Sequence, residues 1–258
     1  MKIKQSVCYP MMRSSIHISL EDFVRTIAAI GFAGLEIWTR DETFADILCL
    51  ARNHHLVVTA MIGHEFGRGL NDPNNHPIVV KEIKESIDIA AEYGIPGLIC
   101  LSGNRRQGIG EEEVIQATVE GLRLAAPYAE ANGITLNLEL LNSKIDHPGY
   151  NCDHTSWGLE VVRRVNSPCV KLLYDIYHMQ IMEGDIIRTI QENIQWIGHF
   201  HTAGVPGRRD LDDSQELNYR AICRAIAETG YTGYICHEYL PKADAIESLR
   251  QTYQICNV

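Results

Sequence analysis

Four strand-like runs in this 258-residue chain each carry a side chain able to bind a metal ion: LNLELLN with Glu139, VKLLYD with Asp175, IGHFH with His201 and YICHE with Glu238. Three carboxylates and an imidazole are donors that one divalent cation accepts from a protein. A single glutamate at a strand end is commonly a solvated rim residue or the partner of an arginine. Four donors at the ends of four strands are harder to explain that way. Buried together they would repel unless a cation or a proton neutralised them. In a barrel of parallel strands the carboxyl ends all open on one mouth, where residues a hundred positions apart can meet. The expected cofactor is one divalent ion: Mn²⁺, Mg²⁺ or Co²⁺, with Zn²⁺ also accommodated.

The elements that must position these donors are read from periodicity. Short apolar runs at 3–9, 34–38, 57–63, 97–103, 135–142, 170–177, 197–204 and 233–240 have the length and composition of strands. Between them lie helical patterns at 20–31, 41–55, 77–94, 111–133, 155–165, 184–194, 218–229 and 243–256. Ser19 is placed to cap the first helix, and Gly31, Gly94 and Gly133 stop three of them. Pro127 falls inside the longest and predicts a kink. Eight strand–helix units with short turns predict a (β/α)8 TIM barrel, one domain spanning residues 1–258. An open doubly wound sheet is the competitor, but no glycine-rich nucleotide turn follows any strand. The longer loops, 64–77, 143–154 and 203–217, follow the third, fifth and seventh strands and so share the face where such barrels keep their chemistry.

Composition narrows the function further. The net charge of −10 and the lack of any basic run beyond an arginine pair exclude a nucleic-acid partner. The eight cysteines are scattered with no CxxC pair, which predicts reduced, buried thiols and a cytoplasmic setting, with no structural zinc. No apolar stretch approaches the roughly 18 residues of a membrane span. A small-molecule substrate is the expected partner, and nothing in the sequence excludes a homo-oligomer.

Along a strand, alternation sets Glu139 with Asn137 and Thr135 on one face and Leu136, Leu138 and Leu140 on the other. The leucine face must pack on helices, which turns Glu139 to the barrel interior. Further polar residues near the strand ends are candidate substrate contacts: Glu36, His64, His178, and Arg208 or Arg209, either of which could hold a carboxylate bidentately. His178 is equally suited to orient a metal-binding carboxylate. Gly204 and Gly207 would let the arginine loop move as a lid. Trp38 and Phe66 could wall the pocket against water.

The stretch YDIYHMQIMEGD (174–185), together with LELLN (138–142), GHFHTAGVPGR and ELNY (198–219) and HEYLP (237–241), resembles the hydroxypyruvate isomerase-like branch of the xylose isomerase-like TIM barrels. The resemblance runs essentially end to end. It implies that Glu139, Asp175, His201 and Glu238 are the metal ligands and that Glu139 and Glu238 move protons. The implied reaction is ketol isomerisation of a small hydroxy-oxo acid through an enediolate, the ion acting as a Lewis acid. Two departures matter. Many isomerases of this branch carry Gln where His201 stands, whereas His is usual in ketose 3-epimerases, the alternative reading. The loop LNSKIDHPG is one residue longer than the family's usual spacing to an acidic substrate contact, which bears on Asp146 in that role. A cyclic inosose dehydratase and an endonuclease IV-like phosphodiesterase are more distant readings. The latter calls for several zinc ions, more histidines and a basic groove.

Overall fold

A computed structural model describes residues 3–258 of the chain. The strands are β1 (Lys4–Cys8), β2 (Gly34–Glu36), β3 (Val57–Val58), β4 (Met61–Ile62), β5 (Gly97–Cys100), β6 (Thr135–Glu139), β7 (Val170–Asp175), β8 (Ile197–Thr202) and β9 (Tyr234–His237). The α-helices are α1 (Tyr9–Met12), α2 (Leu20–Ile30), α3 (Phe44–Asn53), α4 (His76–Tyr93), α5 (Glu111–Asn132), α6 (Thr155–Val165), α7 (Ile176–Met182), α8 (Ile186–Asn193), α9 (Tyr219–Glu228) and α10 (Ala245–Cys256). Among the described residues no helix is long and apolar enough to cross a membrane.

The chain divides into two compact units. One comprises the described chain up to Ala60, with Asp185–Ile194 and Phe200–Val258; the other comprises Met61–Gly184 and Gln195–His199. In the first, β1 lies between β2 and β9, with β3 beside β2 and β8 beside β9, all parallel. In the second, β4, β5, β6 and β7 pair in that order, again parallel. Parallel neighbours require a crossover, and a helix lies between most successive strands. Their strands are buried on both faces, as parallel sheets covered by helices must be.

Local chemistry sets the helix ends. The Ser19 hydroxyl accepts from the Asp22 N–H at 3.1 Å, and Gly31 closes α2 in the left-handed region at φ 114°. Phe23, Val24 and Ile27 form the buried face of α2, with none of their surface exposed. In the second unit Val79, Ile83 and Ile87 of α4 and Val119, Leu122 and Ala125 of α5 are buried in the same way. Helix α5 runs through Pro127 to Asn132 before Gly133 ends it.

Several boundaries differ from those predicted: the runs 34–38, 97–103, 135–142, 197–204 and 233–240 end as strands at Glu36, Cys100, Glu139, Thr202 and His237. The run 57–63 is two strands: β3 bonds to β2 and β4 bonds to β5, with Thr59 and Ala60 between them. The run 170–177 stops at Asp175, whose carboxylate caps α7 by accepting from the His178 N–H at 3.0 Å. Ile176 and Tyr177 are β-prone, so periodicity could not see this helix. Helix α1 directly follows β1 with Pro10 in its first turn, and is too short to leave a periodic signal.

Candidate functional site

In the second unit the last residues of β6 and β7 bring two carboxylates together. Glu139 is 7 % and Asp175 1 % exposed, and each offers a ligand oxygen within 4.8 Å of the other's. Register sets Glu139 beside Leu173, two residues before Asp175. Tyr150 steadies this end of β6: its hydroxyl donates to the Glu139 carbonyl at 3.1 Å and accepts from the Ser102 N–H at 3.0 Å. Nothing in the local sequence marked Tyr150.

His178 stands behind Asp175. Its Nδ1 is 2.6 Å from Asn142 Nδ2, while Nε2 is 3.6 Å from Asp175 Oδ2. The Asn142 amide is oriented by its Oδ1, which accepts from the N–H groups of Ile145 and Asp146 at 2.9 Å each. Its Nδ2 therefore donates to His178 Nδ1, which leaves the ring proton on Nε2 facing Asp175. At 3.6 Å this contact is longer than a hydrogen bond; the hydrogen bond joining the two residues runs from the His178 main-chain N–H to Asp175 Oδ1. Asp146 belongs to the same network: its Oδ2 accepts from Asn142 at 2.6 Å and from the Tyr177 hydroxyl at 2.9 Å. Phe66 is 53 % exposed, its ring 5.7 Å from that of His147.

In the first unit the imidazole of His201 lies between two buried carboxylates. Nδ1 is 3.1 Å from Glu238 Oε2 and Nε2 is 3.1 Å from Glu36 Oε2. Glu238 follows β9 directly and donates its N–H to the Thr202 carbonyl at 2.9 Å. Glu36, predicted as a substrate contact or the partner of a basic neighbour, is wholly buried and has His201 as that neighbour. Around this group Cys8, Met11 and Cys236 form an apolar cluster with Trp38 packed against it. Burial pushes both thiols up. All eight cysteines are free, and six of them are buried.

The loop after β8 separates the two arginines. Gly204 and Arg209 face each other in an antiparallel bridge, the Gly204 N–H donating to the Arg209 carbonyl at 2.7 Å. A Cβ on Gly204 would meet the Asp210 carbonyl oxygen at 2.3 Å, so only glycine allows this close turn. Arg208 adopts φ 55°, and its guanidinium donates to Glu238 Oε2 at 2.5 Å. Arg209 instead donates to the Pro241 carbonyl at 3.4 Å.

His64 is buried just beyond β4. Its Nε2 accepts from the Leu101 N–H at 2.9 Å and its Nδ1 lies 3.2 Å from the Glu65 carbonyl, so both ring nitrogens are used by the main chain. Burial pushes its pKa from 6.5 down to about 4. The folded form holds the neutral ring, so the unfolded chain takes up a proton first as the pH falls. This contribution is complete above pH 6.5, is lost progressively below it, and is gone once the pH has fallen through about 4. In denaturant titrations, moving from pH 7 to pH 4.5 should cost wild type about 2–3 kcal/mol more than His64→Gln. Equal losses in the two proteins would refute this role.

The sequence model of the xylose isomerase-like TIM barrel family matches residues 24–255. The 2-oxo-tetronate isomerase of Haemophilus influenzae is 31% identical over 235 residues, covering 88% of this chain and 90% of that protein. The hydroxypyruvate isomerase of Escherichia coli is also 31% identical, over 66% of this chain and 67% of its own. Among solved structures, that described as an AP endonuclease, family 2, from Brucella melitensis covers 100% of both chains with a TM-score of 0.81 at 24% identity.

Proposed function

The chain belongs to the xylose isomerase-like TIM barrel family and is an isomerase with the (β/α)8 fold; from that premise we propose that it interconverts small hydroxy-oxo acids by moving a proton between adjacent carbons. Hydroxypyruvate and 2-oxo-tetronate, the compounds for which its relatives are named, are the first candidates. On this reading the two units are parts of one barrel domain, and Glu139, Asp175, His201 and Glu238 hold a single divalent ion. The observation that carries it is the donor chemistry: two pairs of buried acidic and imidazole groups, each standing at the carboxyl end of its strand. Such ends share one mouth in this fold, and so many buried carboxylates call for a cation. Mn²⁺, Mg²⁺ or Co²⁺ suits three oxygens and one nitrogen, and Zn²⁺ also accepts them. When bound, the ion would supply Lewis-acid polarisation of the substrate's carbonyl.

The protein's own groups divide the remaining work. One of Glu139 and Glu238 takes the proton from the hydroxyl-bearing carbon and the other delivers one to the neighbouring carbonyl carbon, while the hydroxyl proton passes to the former carbonyl oxygen; the roles exchange in reverse. Before substrate arrives, Arg208 occupies Glu238. A substrate carboxylate draws the guanidinium to itself, releasing Glu238 as it docks. His178 keeps Asp175 in place through its main-chain N–H. The acidic balance of the chain favours a small metabolite over nucleic acid.

The test is proton exchange. Protein supplied with Mn²⁺ in D₂O is offered hydroxypyruvate, 2-oxo-tetronate and free ketoses, and NMR locates the incorporated deuterium. Deuterium in the acids, with formation of the isomeric product, is the expected result. His201 favours a second reading, a ketose 3-epimerase in which both glutamates serve one carbon. Exchange only at carbon 3 of a ketose would select it and exclude the acid isomerase. Arg208→Ala should raise KM for the acids about 10- to 100-fold, the worth of a charged hydrogen bond, and leave ketose binding little changed. An unaltered KM would remove Arg208 from carboxylate binding.

A further inference from the structure

We propose that Glu36 is a positioning residue for the metal centre: it accepts the Nε2–H of His201 and so presents Nδ1, and not Nε2, as the ligand nitrogen. This rests on the reading of His201 as a ligand and adds to it a group from a distant part of the chain. Glu36 closes β2, where register sets it beside Cys8, and none of its surface is exposed. His201, on β8, is equally buried. The 3.1 Å separation of Nε2 from Glu36 Oε2 is hydrogen-bonding distance, and Nδ1 points to Glu238, itself one of the proposed ligands.

An imidazole offers one lone pair when neutral, and the partner of one nitrogen decides which of the two that is. Both ring nitrogens lie 3.1 Å from a carboxylate; with a cation on Glu238, the Glu36 carboxylate on Nε2 would keep the proton there, leave Nδ1 bare, and raise the ring's basicity as a ligand. The surroundings strengthen this effect. Cys8, Met11 and Cys236 with Trp38 make an apolar wall, and a hydrogen bond to a charged acceptor gains strength where water is excluded. Glu36 would then not touch substrate. Its loss would be felt through His201.

Two variants separate this from a merely structural role. Glu36→Gln keeps an acceptor but loses the charge, and Glu36→Ala loses both. Mn²⁺ affinity is measured by calorimetry on metal-stripped protein, and the His201 tautomer by ¹⁵N NMR on the Mg²⁺-loaded protein. Loss of such a partner typically weakens metal binding about 10- to 100-fold. Glu36→Gln is expected near the lower end and Glu36→Ala near the upper. Wild type should show the proton on Nε2, and Glu36→Ala should show a mixture of tautomers. Should Glu36→Ala fail to fold, Glu36→Gln still provides both readouts. Wild-type affinity and tautomer in the variants overturn the inference while leaving the metal centre standing. Two ions per chain, the second lost with Glu36, overturn it by making Glu36 a ligand. A wild-type chain that takes up no ion sinks the metal centre and this inference together.

Discussion

Glu238→Gln and Glu139→Gln are each expected to lower the rate of solvent exchange and of isomerisation by about 10³-fold or more, near the upper range for loss of a positioned acid or base. Glutamine has nearly the shape of glutamate but neither takes up nor releases a proton at neutral pH. The two variants should differ in what they leave behind. Glu238→Gln removes the carboxylate that both His201 and Arg208 face, so it should also disturb the arginine loop. Glu139 is held through its main-chain carbonyl by Tyr150, a contact that the substitution leaves intact. Circular dichroism and thermal melting check that the fold survives in both. Full activity in either variant removes that glutamate from proton transfer.

Removal of the metal should be as severe. Dialysis against EDTA is expected to abolish turnover, and Mn²⁺, Mg²⁺ or Co²⁺ to restore it. Stability offers a second readout that does not depend on knowing the substrate. An ion bound only by the folded chain adds about 2.7 kcal/mol at a hundred times its Kd. For a chain of this size that corresponds to a rise in Tm of about 5–10 °C. The stripped Asp175→Asn variant should show almost no such rise. Full activity after exhaustive chelation, or an equal rise in Asp175→Asn, would dismiss the centre.

The longer helices were legible because their signals are local, whereas α1 and α7 were not. Ser19 followed by acidic residues at 21 and 22 and glycine at 31 marks α2 at both ends, and the structure places the boundaries there. The strands were legible as apolar runs but not in their extents. Asp175 ends β7 by capping the next helix with its own side chain, and an apolar count over Ile176 and Tyr177 reads straight past that event. Thr59 and Ala60 likewise look no different from strand residues, although β3 and β4 bond to different neighbours.

By itself the sequence determined which residue types stand at the strand ends, because alternation and turn chemistry are set by neighbours a few positions apart. Glu139, Asp175, His201 and Glu238 could be singled out on that ground, and the motifs around them pointed to the family. Only the tertiary structure decided what their partners are. It turned Arg208 onto Glu238 and sent Arg209 to the Pro241 carbonyl, through a left-handed residue and a tight bridge at Gly204. It set Glu36 against His201 across 165 positions of sequence and Asn142 against His178 across 36. Hydrogen bonds and ion pairs act over about 3 Å, and which side chains come that close depends on how distant segments pack.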